Sequence, residues 1–169
     1  MDKMNDLSES FKQEDIDMLF PKSKITDTTQ LANTAQANAT NYLSAGKILF
    51  NQIKDNPNLN IPCATVAALS CELFLKSIHF KNMTQHKEIK GHNLEKLFKD
   101  LHDDDKNEIL NRIKPNDPNN YFEVFLSENK EVFPELRYFY EEGRSDWFNP
   151  RLLVLFAQVL HDYTITLNV

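Results

Sequence analysis

Glycine is scarce in this chain, with three in 169 residues. Tight β-turns draw on glycine for positive φ, so the shortage argues against an all-β architecture and favours helix. Cysteine is almost as rare. Cys63 and Cys71 stand eight residues apart, which on one helix is about 12 Å along the axis and too far for a disulfide; they read as small buried apolar groups. A secretory leader is not expected, since Met1 to Glu14 is polar and mixed in charge. No apolar run approaches the ~20 residues expected of a membrane span. These absences lead us to expect a cytoplasmic protein with reduced thiols and no membrane association. Excess positive charge is missing too, and a net charge of −6 argues against a surface devoted to phosphates.

What remains, 41% apolar and 26% charged residues, suits one domain with one hydrophobic core. The charge is unevenly spread. Between Lys76 and Lys99 six lysines face two acids, Glu88 and Glu95, with His79, His86 and His92 interleaved. Between Glu123 and Asp146 seven acids face Lys130, Arg137 and Arg144. A surface polarised in this way suits self-association or an ionic ligand, although solvated charge is the plainer explanation.

Apolar periodicity places the helices. Leu31, Ala35, Tyr42, Ala45, Leu49 and Ile53 form one stripe of a helix from Thr28 to about Lys54. Pro62 opens a second, with Asn60 as its expected cap, and Cys63 to Phe80 is apolar on most of its circumference, as a central helix would be. A short helix is expected over Asn93 to Leu101. Asp105 and Glu108 have capping-box spacing for a helix over Lys106 to Ile113. Asp117 and Pro118 cap a helix to about Glu128, Pro134 opens one that ends at Gly143, and Asn149 and Pro150 start a last apolar helix to Thr166. Residues 1 to 27, anchored only by Phe11 and the Ile16 to Phe20 cluster, read as a loosely held arm; residues 28 to 169 read as the bundle.

Few residues offer chemistry. Thr65, Glu72, Lys76 and His79 fall on one polar stripe of the central helix. It is either a solvent-facing strip with a Glu72–Lys76 pair, or the lining of a groove that accepts a phosphate or a polar partner. Gly91-His92-Asn93-Leu94 leads into a helix and, with Lys90 and Lys96, forms either a capped turn or an anion site. Arg137 and Tyr140 lie in a run that alternates aromatics with charge, where Arg137 is expected to meet a partly buried carboxylate. No histidine pair and no cysteine pair has metal spacing, and no phosphate loop or nucleophile elbow occurs, so neither metal nor cofactor is expected.

The ordered motifs Ala68-Leu69-Ser70-Cys71-Glu72-Leu73-Phe74-Leu75-Lys76, Gly91-His92-Asn93-Leu94-Glu95-Lys96-Leu97-Phe98 and Glu135-Leu136-Arg137-Tyr138-Phe139-Tyr140-Glu141, followed by the apolar last helix, resemble a HEPN domain of the bacterial type. The resemblance implies an all-α, up-and-down bundle of four to five core helices plus short ones, paired as a homodimer. It also implies a family of toxin ribonucleases, from toxin–antitoxin and phage-defence systems, together with inactive nucleotide-binding or scaffold members. Active members carry an Arg followed about four to six residues later by a His. That spacing is absent after Arg112, Arg137, Arg144 and Arg151, and Arg151 and His161 are ten apart. The resulting expectation is a non-catalytic module that binds a nucleotide, RNA or a partner protein through Glu72, Lys76, His92, Arg137 and Tyr140. The rivals are a noncanonical ribonuclease using His92, Arg137 and His161, and a structural adaptor with no small ligand.

Overall fold

The computed structural model describes residues 27–85, 87–117, 121–130, Val132, Leu136 and 149–167. Among these residues the fold is all-α: α1 (Thr28–Gln52), α2 (Asn60–Lys81), α3 (Leu94–Lys99), α4 (Asp103–Ile113), α5 (Tyr121–Glu128) and α6 (Pro150–Thr166). The N-terminal arm up to Thr26, His86 and, apart from Leu136, the expected helix from Pro134 to Gly143 lie outside them.

The frame is a three-helix stack of α1, α2 and α6. Along the α1–α2 seam small side chains face one another, Ala32, Ala35 and Ala39 on α1 and Cys63, Ala64, Ala67, Ala68 and Cys71 on α2, all buried. Small residues let the backbones approach closely. Ser70 donates to the Ala39 carbonyl at 2.8 Å, and Cys63 sits 3.4 Å from the Gly46 carbonyl. These pairings run in opposite sequence directions, so α1 and α2 are antiparallel. The other flank of α2 presents the larger Phe74, Leu75 and Ile78, none of them exposed, and α6 covers the stack with Leu153, Phe156, Ala157 and Leu160. Within the stretch Pro57–Lys81 an 18-residue segment is, by length and composition alone, apolar enough to cross a membrane, and 61% of that segment is buried inside the bundle. That corrects the expectation that no run approaches spanning length. Weakly polar Ser70, Cys71 and Ser77 are absorbed among apolar neighbours here, so they hardly interrupt the run.

Local signals place most helix ends. Asp27, Asn93 and Asn149 accept hydrogen bonds from the backbone N–H of Thr29, Lys96 and Leu152, as N-caps do. Two expectations are corrected. Asn60 is not a cap but the first residue of α2; the side chain of Asn56 caps a 3-10 turn, Pro57–Leu59, that leads directly into the helix. Asp105 does not cap α4, which begins two residues earlier. It lies within the first turn, buried, where its carboxylate accepts from the Tyr163 hydroxyl and, at 2.6 Å, from Asn82 Nδ2. One carboxylate thereby joins the C-cap of α2 to α4 and α6.

Around Phe98 on α3, Phe122 and Phe125 on α5 and Phe156 on α6 the rings cluster. Phe122 and Phe156 meet edge-on at 4.9 Å, Phe98 and Phe122 at 5.4 Å. Each such contact adds about 0.5–1.5 kcal/mol beyond area burial. This cluster seats the short helices on the frame.

Candidate functional site

Two places merit attention, a buried charge cluster on α2 and an open groove over α5 and α6.

The first gathers three residues singled out from sequence. Glu72 is 2% exposed. Its Oε1 accepts from Lys76 Nζ at 2.7 Å, and Oε2 lies 2.9 Å from His92 Nδ1. An ionised carboxylate only accepts, so Nδ1 of His92 carries the proton in this contact. Gly91, at φ 92°, occupies the left-handed region and turns the chain so that His92 returns over α2. His79, one turn beyond Lys76, directs Nε2 at the Leu97 carbonyl at 2.8 Å and ties α2 to α3. The polar stripe is therefore not a solvent-facing strip at Glu72. The loop before α3 and α3 itself cover it, a long-range packing that helical periodicity on α2 cannot reveal.

Electrostatics define what this cluster can do. Lys76 pairs with a buried carboxylate one turn away, and its side chain is only 16% exposed. A phosphate recruited to Lys76 would have to share that ammonium with Glu72 and sit close to a like charge. Removing one partner of a buried pair is costly, because the other is left uncompensated. The arrangement braces the loop before α3 against α2.

His161 is not brought to the cluster. It lies on α6 with its ring 5.8 Å from Phe74, edge-on, and hydrogen-bonded to Asp162. Phe74 is two residues, about 200°, around α2 from Glu72. Arg137 and Tyr140 lie outside the described residues. The thiols offer no nucleophile: burial pushes Cys63 up to about 11 and raises Cys71 further, so both stay protonated near neutral pH. Among the described residues no group of three or more His, Cys, Asp or Glu side chains could hold a metal ion.

The second place is a groove of about 560 Å³ bounded by the end of α4, by α5 and by α6. Its origin is a doubled apolar pattern. On α6, Leu153, Phe156, Ala157 and Leu160 face the core, while Leu152, Leu155 and Val159 make a second stripe that faces the groove. On α5, Phe122, Phe125 and Leu126 are buried, but Tyr121 is 63% and Val124 51% exposed. Exposed apolar side chains scattered singly are ordinary; gathered along one groove over an aromatic floor, they mark a contact surface. Arg112 and Asp162 stand at one end, with the Arg112 guanidinium 5.7 Å above the Tyr163 ring. Glu128 and Asn129 line it at the C-terminal end of α5.

Motif reading missed this groove because it sought polar chemistry. The signal was present in the sequence: Leu152, Leu155 and Val159 are apolar at helical spacing yet redundant with the core stripe beside them. Comparison with known proteins yields no match: no family model, no curated protein and no solved structure corresponds to the chain.

Proposed function

We propose that this chain is a non-catalytic helical interaction module, of the HEPN-like kind its motif order resembles, and that it engages a partner protein through the groove between α4, α5 and α6. The observation that carries this reading is the groove itself, an aromatic floor rimmed by Tyr121, Val124, Leu152 and Leu155, each more than a third exposed. Desolvated aromatic and aliphatic anchors in a concave site supply most of the energy in protein recognition. Of the ligand classes expected from sequence, nucleotide, RNA and partner protein, the geometry favours the last. Lys76 is paired with Glu72, and the cluster around it fastens a loop.

Catalysis is not part of the proposal. His92 and His161 stand on opposite sides of α2, and the two free cysteines are buried. A bacterial toxin–antitoxin or phage-defence setting and pairing of two chains accord with the resemblance and are carried here as part of the same proposal.

The test is the size of the native chain in extracts of its source cells, compared with single variants that place charge in the groove. Wild-type protein should migrate as a larger complex, and Val124→Asp and Leu155→Asp should migrate as the free chain with unchanged helicity. Complex formation that survives both substitutions but is lost in Lys76→Met would move the functional surface to the α2 cluster and refute the groove. Degradation of RNA by pure protein, lost in His161→Ala, would favour the ribonuclease reading instead.

A further inference from the structure

Resting on the groove as a contact surface, we infer that its occupant is a cationic amphipathic segment of another protein, with a lysine or arginine placed at the Glu128–Asn129 end. The charged side chains that line the groove are Arg112 against Asp117, Glu128 and Asp162. Most of these have partners already. Arg112 is held by Glu108 at 2.9 Å, Asp162 accepts from Gln158 Nε2 at 2.6 Å, and the Asp117 carboxylate accepts from the backbone N–H groups of Tyr121 and Phe122.

Glu128 differs. It stands in the last turn of α5, a turn without a basic residue, and no donor reaches it among the described residues. The carbonyl end of a helix disfavours a carboxylate, so a surplus of acceptor character collects there. Asn129, next in the chain and 5% exposed, adds an independent observation. Its Nδ2 donates to the Phe125 carbonyl at 2.9 Å, while its Oδ1 is buried with no donor among the described residues. Buried acceptors are nearly always satisfied. A carboxylate without a cation among the described residues, at the end of an apolar groove and beside the buried Asn129 amide, is the complement of an ammonium or guanidinium group. Lys130, two residues on, is itself exposed.

Charge also selects among occupants. The first 26 residues of the chain, Met1 to Thr26, hold six acids and four lysines, and the whole chain carries −6, so both the chain's own arm and a second copy meet the acidic rim with net charge of the same sign. A basic foreign segment meets it with the opposite sign, which steers association and sets register.

The experiment uses the full chain and two synthetic amphipathic peptides with leucine at i, i+3, i+4 and i+7, one with lysine and one with glutamate at the remaining positions, followed by fluorescence anisotropy at low and high salt. The lysine peptide should bind about tenfold tighter than the glutamate peptide, and Glu128→Lys should remove that preference. Val124→Asp and Leu155→Asp should weaken both peptides, while Glu88→Lys, distant in sequence and paired with Lys90 at the surface, should change neither. If both peptides need Val124 but Glu128→Lys leaves their ratio unchanged, the cationic occupant is wrong and the groove reading stands. Binding by neither peptide, or binding indifferent to Val124 and Leu155, removes both. A dimer dissociated by Val124→Asp assigns the groove to a second copy, and peptide binding gained only on Leu19→Asp assigns it to the chain's own arm; either result overturns the inference.

Discussion

Replacing Tyr163 with Phe should destabilise the fold through a single hydrogen bond, because the structure isolates that bond unusually well. Tyr163 is 5% and Asp105 7% exposed, and among the described residues the Asp105 carboxylate has two donors, the Tyr163 hydroxyl and Asn82 Nδ2. Phenylalanine keeps the ring, its packing and the Arg112 guanidinium above it, so the loss is confined to the O–H donor. A hydrogen bond to a charged acceptor contributes about 1.5–3 kcal/mol, and removing it leaves a buried carboxylate with one partner fewer. We expect about 2 kcal/mol by urea unfolding, and for a chain of this size a Tm lower by about 4–8 °C. Asp105→Ala should cost about 3 kcal/mol, since it strands both the hydroxyl and the Asn82 amide. The double variant should cost less than the sum by about 1–2 kcal/mol, the signature of a direct contact. A Tyr163→Phe loss below about 0.5 kcal/mol with strictly additive energies would refute a network joining α2, α4 and α6. The same contact has a pH signature. Burial first, and then the Asp105 hydrogen bond, raises the phenol above its ordinary value of 10.0. The folded state therefore holds that proton after the unfolded chain has lost it, so wild-type stability should fall more steeply above pH 10 than that of the Phe variant.

Further outcomes follow from the same geometry. Phe156→Ala removes a ring shared by Phe98, Phe122 and Phe125, and should cost about 3–5 kcal/mol by chemical denaturation. Glu72→Ala strands Lys76 and should cost about 2–3 kcal/mol, whereas His92→Ala, whose side chain is 46% exposed, should cost about 1 kcal/mol or less. Equal losses from the two would show that the carboxylate is not the centre of the cluster. The Cys63 thiol, ordinarily 9.0 and raised to about 11 by burial, is protonated in the folded state while the unfolded chain ionises. Its contribution is therefore present below pH 9 and lost between pH 9 and 11, at up to about 1.4 kcal/mol per pH unit. Cys63→Ala should flatten that part of the alkaline stability curve.

Most of the fold was legible in the sequence because its signals are local. Asn149 caps the last helix as expected, and that helix runs from Pro150 to Thr166 as its apolar spacing predicts. Errors arose where long-range packing overrides a local pattern. Asp105 has capping-box spacing but is taken by Tyr163, 58 residues away. Glu72 has the spacing of an exposed pair with Lys76 but is sealed by His92, 20 residues on. Polar spacing nevertheless picked out Glu72, Lys76 and His92, and the fold does bring these three together. Their convergence alters their meaning, since residues that satisfy one another are poorly placed to hold a ligand. The groove went unseen because an apolar residue on a helix looks like core until the neighbouring helices are in place. Leu152 and Leu155 become distinctive only once Leu153 and Phe156 are found to fill the interior.

The central claim is that the working surface is the apolar groove and not the charge cluster. It is tested most directly by titrating the leucine–lysine peptide into isotopically labelled full chain and mapping amide shifts. Shifts should concentrate on residues 121–129 of α5 and its end and on residues 152–162 of α6, with Glu72, Lys76 and His92 unmoved. Shifts centred on Glu72, Lys76 and His92, with α5 and the outer face of α6 silent, would contradict it.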